Sequence, residues 1–187
     1  MLNSLLGTLS SGVAASTSSY ESIATVTASG GPTTITFSSI PSTYKHLQIR
    51  MNWKPNSGAA SGFYLRINGA TGNNATAHQM AGDGSTTSAY GYSSTDIGDL
   101  LLLATPTGVG TGTNIFSAGI IDVSDYESTT KYKTFRHFGG YDANGSGSVN
   151  LNSGVWLSTS AVNQIDIKKG EGFANGSTFA LYGIKGA

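Results

Sequence analysis

The chain has no cysteine. That removes any disulfide framework and any thiolate metal site, and with them the usual clue to redox compartment. Charge is scarce as well: Asp, Glu, Lys and Arg make up 11% of the 187 residues, against about 25% in an average globular domain. Lys plus Arg and Asp plus Glu number 10 each, so the formal net charge is zero. No field exists to gather a polyanion, and nucleic acid is not an expected partner. The apolar run from Leu100 to Leu103 is far too short to span a bilayer, so no membrane is expected either. Catalytic and nucleotide signatures are missing too: there is no Gly-x-Ser-x-Gly elbow and no Gly-x-x-x-x-Gly-Lys loop.

What the chain does have is alternation. From Lys45 to Lys54, Leu47, Ile49, Met51 and Trp53 share one face and every intervening side chain is polar or charged, the pattern of a half-buried strand. The same period returns at Phe63, Leu65 and Ile67 and in further short segments between Gly, Ser, Thr and Asn turns. About ten strands are expected. Tyr20 to Ala28 and Thr33 to Phe37 look like a hairpin joined at Ser29-Gly30-Gly31-Pro32, and Ile115 to Val123 pairs naturally with Lys131 to Tyr141. Residues 75 to 96 look like an extended surface loop with at most short strands, and Leu100 to Leu103 like a covered strand or a helical turn. No long helical period supports βαβ units. The expected fold is therefore all-β, an antiparallel β-sandwich of jelly-roll type, with residues 20–187 as one domain.

Residues 1–19 differ. Leu2, Leu5, Leu6 and Leu9 follow helical spacing before the chain passes into small residues. The segment has no Lys or Arg, unlike the start of a signal peptide. It is expected to be a short helix or arm that docks these four leucines on a neighbouring subunit, making them the candidate interface residues, the alternative being a helix folded back on its own core.

Candidate chemistry is thin. His46, His78 and His137 lie far apart and not at metal-ligand spacing. Asp142-Ala143-Asn144-Gly145-Ser146-Gly147 copies half a calcium loop, but its twelfth position is Ser153 rather than Glu, and an Asn-Gly hairpin turn explains the same letters. Asp96 and Asp99 resemble a glycosidase pair only in being two nearby carboxyls. Lys131 to Phe138 interleaves basic and aromatic residues, which in a neutral chain favours a charged sheet face beside the acidic arm of Asp122, Asp125 and Glu127. Tyr64, Tyr90, Tyr92 and Trp156 are candidates either for protein contact or for a sugar-stacking platform. No metal, cofactor or catalytic group is expected.

Two stretches carry a resemblance. Ile35-Thr36-Phe37-Ser38-Ser39-Ile40-Pro41-Ser42-Thr43-Tyr44-Lys45-His46-Leu47-Gln48-Ile49-Arg50 and Phe179-Ala180-Leu181-Tyr182-Gly183-Ile184-Lys185 resemble a family of small virion proteins of tailed bacteriophages. The resemblance implies a non-catalytic structural protein of the virion. It would be a capsid decoration or cement protein bound to the major capsid protein, or else an accessory protein of the tail or fibre. It also implies a homo-oligomer, with a trimer preferred. A carbohydrate-binding module is the alternative from another class. Physically both motifs look like folding elements, with Gly183 placed where another part of the chain passes close.

Overall fold

The computed structural model describes residues 18–57, 62–93, 100–102 and 114–186, the stretch 100–102 by its backbone alone. Among these residues there are twelve strands and no helix: β1 (Tyr20–Thr27), β2 (Thr34–Phe37), β3 (His46–Trp53), β4 (Phe63–Ile67), β5 (Ala75–Gly82), β6 (Thr87–Tyr92), β7 (Leu100–Leu102), β8 (Ser117–Ser124), β9 (Lys133–Asp142), β10 (Gly147–Trp156), β11 (Ile165–Lys168) and β12 (Thr178–Ile184). All pair antiparallel. One sheet has eight strands in the order β1-β12-β3-β8-β9-β10-β5-β6; the other has four, β2-β11-β4-β7. The fold is an all-β sandwich with unequal layers. The jelly-roll type is a finer assignment than this strand order supports.

Two sequence expectations are corrected. β1 and β2 do not form a hairpin, since β1 pairs with β12 in the large sheet and β2 with β11 in the small one. The Gly30-Gly31 breaker, with both glycines at positive φ, carries the chain from one layer to the other. The segment expected as a surface loop is a regular hairpin, β5 with β6. Its turn is closed by Asp83, whose Oδ1 accepts from the Ser85 and Thr86 amides at 2.8 and 2.7 Å. This hairpin makes the difference between ten expected strands and twelve.

The core lies between the layers. Leu47, Ile49, Met51 and Trp53 all face inward, as their alternation predicts. Rings from both sheets meet edge to face: Trp53 lies 5.6 Å from Phe63 of the small sheet and 5.8 Å from Phe173, and Phe173 lies 4.9 Å from Phe179. Each such ring contributes about 2–3 kcal/mol by burial and up to about 1 kcal/mol more by its edge-to-face contact.

The two stretches that carry the resemblance meet at one corner. Ser39 adopts φ 53° in the turn after β2, and the Tyr126 hydroxyl, from the β8–β9 connection, donates to the Pro41 carbonyl and accepts from the Tyr44 amide. The Tyr44 ring lies on Gly183, where a Cβ would come within 2.2–2.4 Å of ring carbons. The close approach expected at Gly183 is therefore made by an aromatic ring. Gly183→Ala should cost about 1–3 kcal/mol of stability through overpacking, and less than half of that in a Tyr44→Ala background. Urea unfolding of the two single variants and the double variant measures this coupling, and strictly additive costs would contradict the contact.

Candidate functional site

Strands β9, β10 and β5 place their side chains in an unexpected sense. In β10 the apolar Val149 and Leu151 point outward, 55% and 50% exposed, while Asn150 and Asn152 point inward, 1% and 2% exposed. The inward set continues to Gly154 and Trp156. The neighbouring strands follow suit: His137 of β9 and Gln79 of β5 are buried, while Phe138 and Met80 are exposed. A flat polar row thus lines part of the interior, and an apolar row lines the surface.

Direct cross-strand register joins the outer residues. Ile120 opposes Phe138, Phe138 opposes Leu151, Leu151 opposes Met80, and Met80 opposes Ala89. At a strand spacing of about 4.8 Å the row is about 19 Å long. Val149 widens it beside Gly140 and Gly82, its register neighbours. Next to the row an open trough of about 570 Å³ is lined by His78, Met80, Ala89, Gly91, Arg136 and Leu151. At the other end Ile120 opposes Arg50, whose guanidinium carbon lies 5.2 Å from the Tyr20 ring and 5.0 Å from the Tyr182 ring. Asp122 and Arg136 oppose one another beside the row, with Asp122 Oδ1 accepting from Gln48 Nε2 at 2.8 Å. The face is apolar at its centre and sparsely charged at its rim, the make-up of a protein contact surface.

The interior polar row is held by its own hydrogen bonds. Gln79 Nε2 donates to Asn150 Oδ1 at 2.7 Å, Asn150 Nδ2 to Ser148 Oγ at 2.9 Å, and Asn152 Nδ2 lies 3.1 Å from His137 Nδ1. The His137 ring meets Phe63 edge to face at 5.4 Å. Gly119 and Gly139 make room for it, since a Cβ on either would lie within 3 Å of Nε2. That Nε2 has no hydrogen-bond partner among the described residues. Burial pushes the imidazole down from 6.5 to about 4.

Other candidate residues fall elsewhere. His46 Nδ1 accepts from the Asp125 amide at 3.0 Å, and no cluster of metal ligands occurs among the described residues. The half calcium loop is the β9–β10 turn: Asn144 and Gly145 take positive φ, and the Asn144 amide donates to Asp142 Oδ1 at 2.7 Å. The basic and aromatic residues of β9 divide between faces. Lys133, expected on a charged face, is fully buried, and its Nζ donates to the carbonyls of Ser128, Lys131 and Thr159 at 2.6, 2.8 and 3.2 Å. Charge pairing is instead concentrated at Asp125, which holds Lys131 at 2.7 Å and Lys45 at 3.0 Å. Hydrogen bonds from these two ammonium groups lower its carboxyl to about 2. Trp156 is buried in the core and cannot stack on a sugar. Tyr90 is exposed and Tyr92 half-buried on β6, whereas Tyr64 belongs to the small sheet. The four do not form one platform. Leu2, Leu5, Leu6 and Leu9, and the pair Asp96 and Asp99, lie outside the described residues.

In comparisons with known proteins, no family model, no curated protein and no solved structure matches this chain.

The buried imidazole ties stability to pH. The unfolded chain takes up a proton near pH 6.5 that the folded state refuses until about pH 4, so this group leaves stability unchanged above neutrality and reduces it as pH falls through that window. At about 1.4 kcal/mol per pH unit the loss attributable to His137 approaches about 3 kcal/mol by pH 4. Urea unfolding at neutral pH and at pH 4.5 should show a markedly smaller acid loss in His137→Gln than in the parent chain. Equal losses would mean that the imidazole is protonated in the fold.

Proposed function

We propose that this protein is a non-catalytic structural component of a bacteriophage virion, a decoration protein that binds the major capsid protein through the outer face of its large sheet. The observation that carries the reading is the inverted polarity of β10: Asn150 and Asn152 are buried while Val149 and Leu151 face solvent. Burying an amide is unfavourable unless it is hydrogen-bonded, and leaving a row of large apolar side chains in water forgoes their burial energy. The arrangement is best suited to a sheet whose outer face is covered in its working state. A low charge density fits wide contact with other subunits, because burying Ser, Thr or Gly costs far less than burying an unpaired Lys or Glu. The phage assignment rests on the resemblance of the two motif stretches. Residues 1–19, with Leu2, Leu5, Leu6 and Leu9, act in this reading as an added docking arm. The mechanism is thermodynamic: a subunit that binds the assembled shell and not its disassembled form stabilises the shell by mass action.

Fluorescently labelled protein mixed with virions of the phage that encodes it tests the reading. Saturable binding over the capsid lattice is expected, and Leu151→Asp and Phe138→Asp should each weaken it about tenfold or more, as removal of central anchors does. Removal of residues 1–19 should weaken it as well. Label confined to the tail would replace the decoration role with that of a tail accessory protein. Absence of label from every part of the particle would overturn the virion assignment.

A further inference from the structure

The edges of the two sheets are not treated alike. β1, at one end of the large sheet, has a register shift between Ser22 and Ala24 and carries Glu21 in an ion pair with Lys185 at 3.2 Å. Bulges and charges of this kind keep an edge from pairing with another chain. The small sheet ends in strands of four and three residues, β2 and β7, too short to be good templates. β6, at the other end of the large sheet, has none of these devices. Its six residues, Thr-Ser-Ala-Tyr-Gly-Tyr, include no charge and no proline, and its register with β5 is unbroken from Thr87 to Tyr92. Among the described residues no strand pairs with its outer side.

We propose, in place of the trimer that the resemblance prefers, that β6 is the pairing edge of a homodimer, in which it lies antiparallel to β6 of a second copy and joins two eight-stranded sheets into one. Two features, the lack of charge in β6 and the place of Ala89 at the end of the apolar row, favour a second copy over another partner. In an isologous pair each side chain near the two-fold axis meets its own counterpart, so any charge there would face a like charge, and β6 has none. Opposed residues of antiparallel strands share a face, so the axis must pass midway between one residue and its own copy, and Ala89 or Tyr90 lies at the strand's centre. Ala89 is also the last member of the apolar row. Pairing at β6 makes the rows of the two copies continuous, with no polar residue between them on the outer face at that level. The proposal stands independently of what the outer face binds.

Sedimentation of the full chain at micromolar concentration reads the pairing directly. A dimer is expected. Ala89→Glu and Ala89→Lys place an exposed charge either on the axis or diagonal to its own copy. Each variant alone should sediment as a monomer, and an equimolar mixture of the two should recover a dimer, a rescue that misfolded protein would not give. In the parent chain, amide exchange across Thr87 to Tyr92 should slow as concentration rises. A monomeric or trimeric parent chain, a dimer indifferent to both charges, or exchange in β6 independent of concentration would overturn the proposal.

Discussion

Parity along the strands is the constraint from which most of this structure follows. A strand that commits one large ring to the interior commits every second residue with it. In β9 the anchor is Phe135, and Lys133, His137 and Tyr141 come inside because they share its face. In β10 the anchor is Trp156, and Gly154, Asn152 and Asn150 follow. The rings of Trp53, Phe63, Phe173 and Phe179 are packed edge to face between the layers. Slipping one strand by a residue would withdraw its ring from that contact set. Polar residues that would be costly alone are thus carried inward by the apolar ones beside which they alternate.

The interior shows how that cost is contained. Lys133 reaches three backbone carbonyls, so its ammonium is surrounded by acceptors even though burial lowers its pKa. Lys169, equally buried, holds Glu171 at 3.1 Å and lies 5.6 Å from the Trp53 ring. Asn150 and Gln79 bond to one another, and two glycines open the space that the His137 ring fills. Among the described residues the buried polar atoms left without a partner are His137 Nε2, Gln79 Oε1, Trp53 Nε1 and Ser117 Oγ. The outer face has no equivalent for its apolar residues: Phe138, Leu151, Met80 and Val149 are met by register neighbours in their own layer and by nothing above it among the described residues. That asymmetry, compensation for most polar groups inside and none for the apolar ones outside, is the physical basis of the outer face as a contact surface.

The sequence announces the strands better than the faces. Where apolar residues alternate without interruption, as from Leu47 to Trp53, the period identifies both strand and inner side. In Val149 to Trp156 the period identifies the strand alone, because Val149 and Leu151 outnumber Trp156 while the single indole decides the direction. The β5–β6 hairpin is hard to see because Gln79 is buried and Met80 exposed, against their usual tendencies, and β6 offers only small residues and tyrosines. Gly183 is legible as a close approach, though the tyrosine ring that fills the space comes from a turn 139 positions earlier, Tyr44, which no local pattern connects to it. Lys133 lies beside Tyr132 and near Arg136 in a stretch that looks like a charged face, but parity with Phe135 turns it inward, where carbonyls of Ser128, Lys131 and Thr159 accept from its ammonium.

An apolar row on a face and an uncovered strand at an edge make different demands on a partner. The row asks for a surface that lies flat against the sheet and excludes water from side chains, with no requirement for a particular backbone direction. The edge asks for an extended strand in register, whose main-chain groups complete the ladder and whose side chains need only be compatible. Because the two meet at Ala89, a partner at the edge extends the row rather than covering it. Two copies joined there would present one strip roughly twice as long to whatever lies above, and both halves would engage it together. Linked contacts of that kind raise the overall affinity without any new type of interaction. A chain with so little charge gains from this geometry in particular, since it has few long-range forces with which to hold a partner and must rely on the extent of the surface it can lay down.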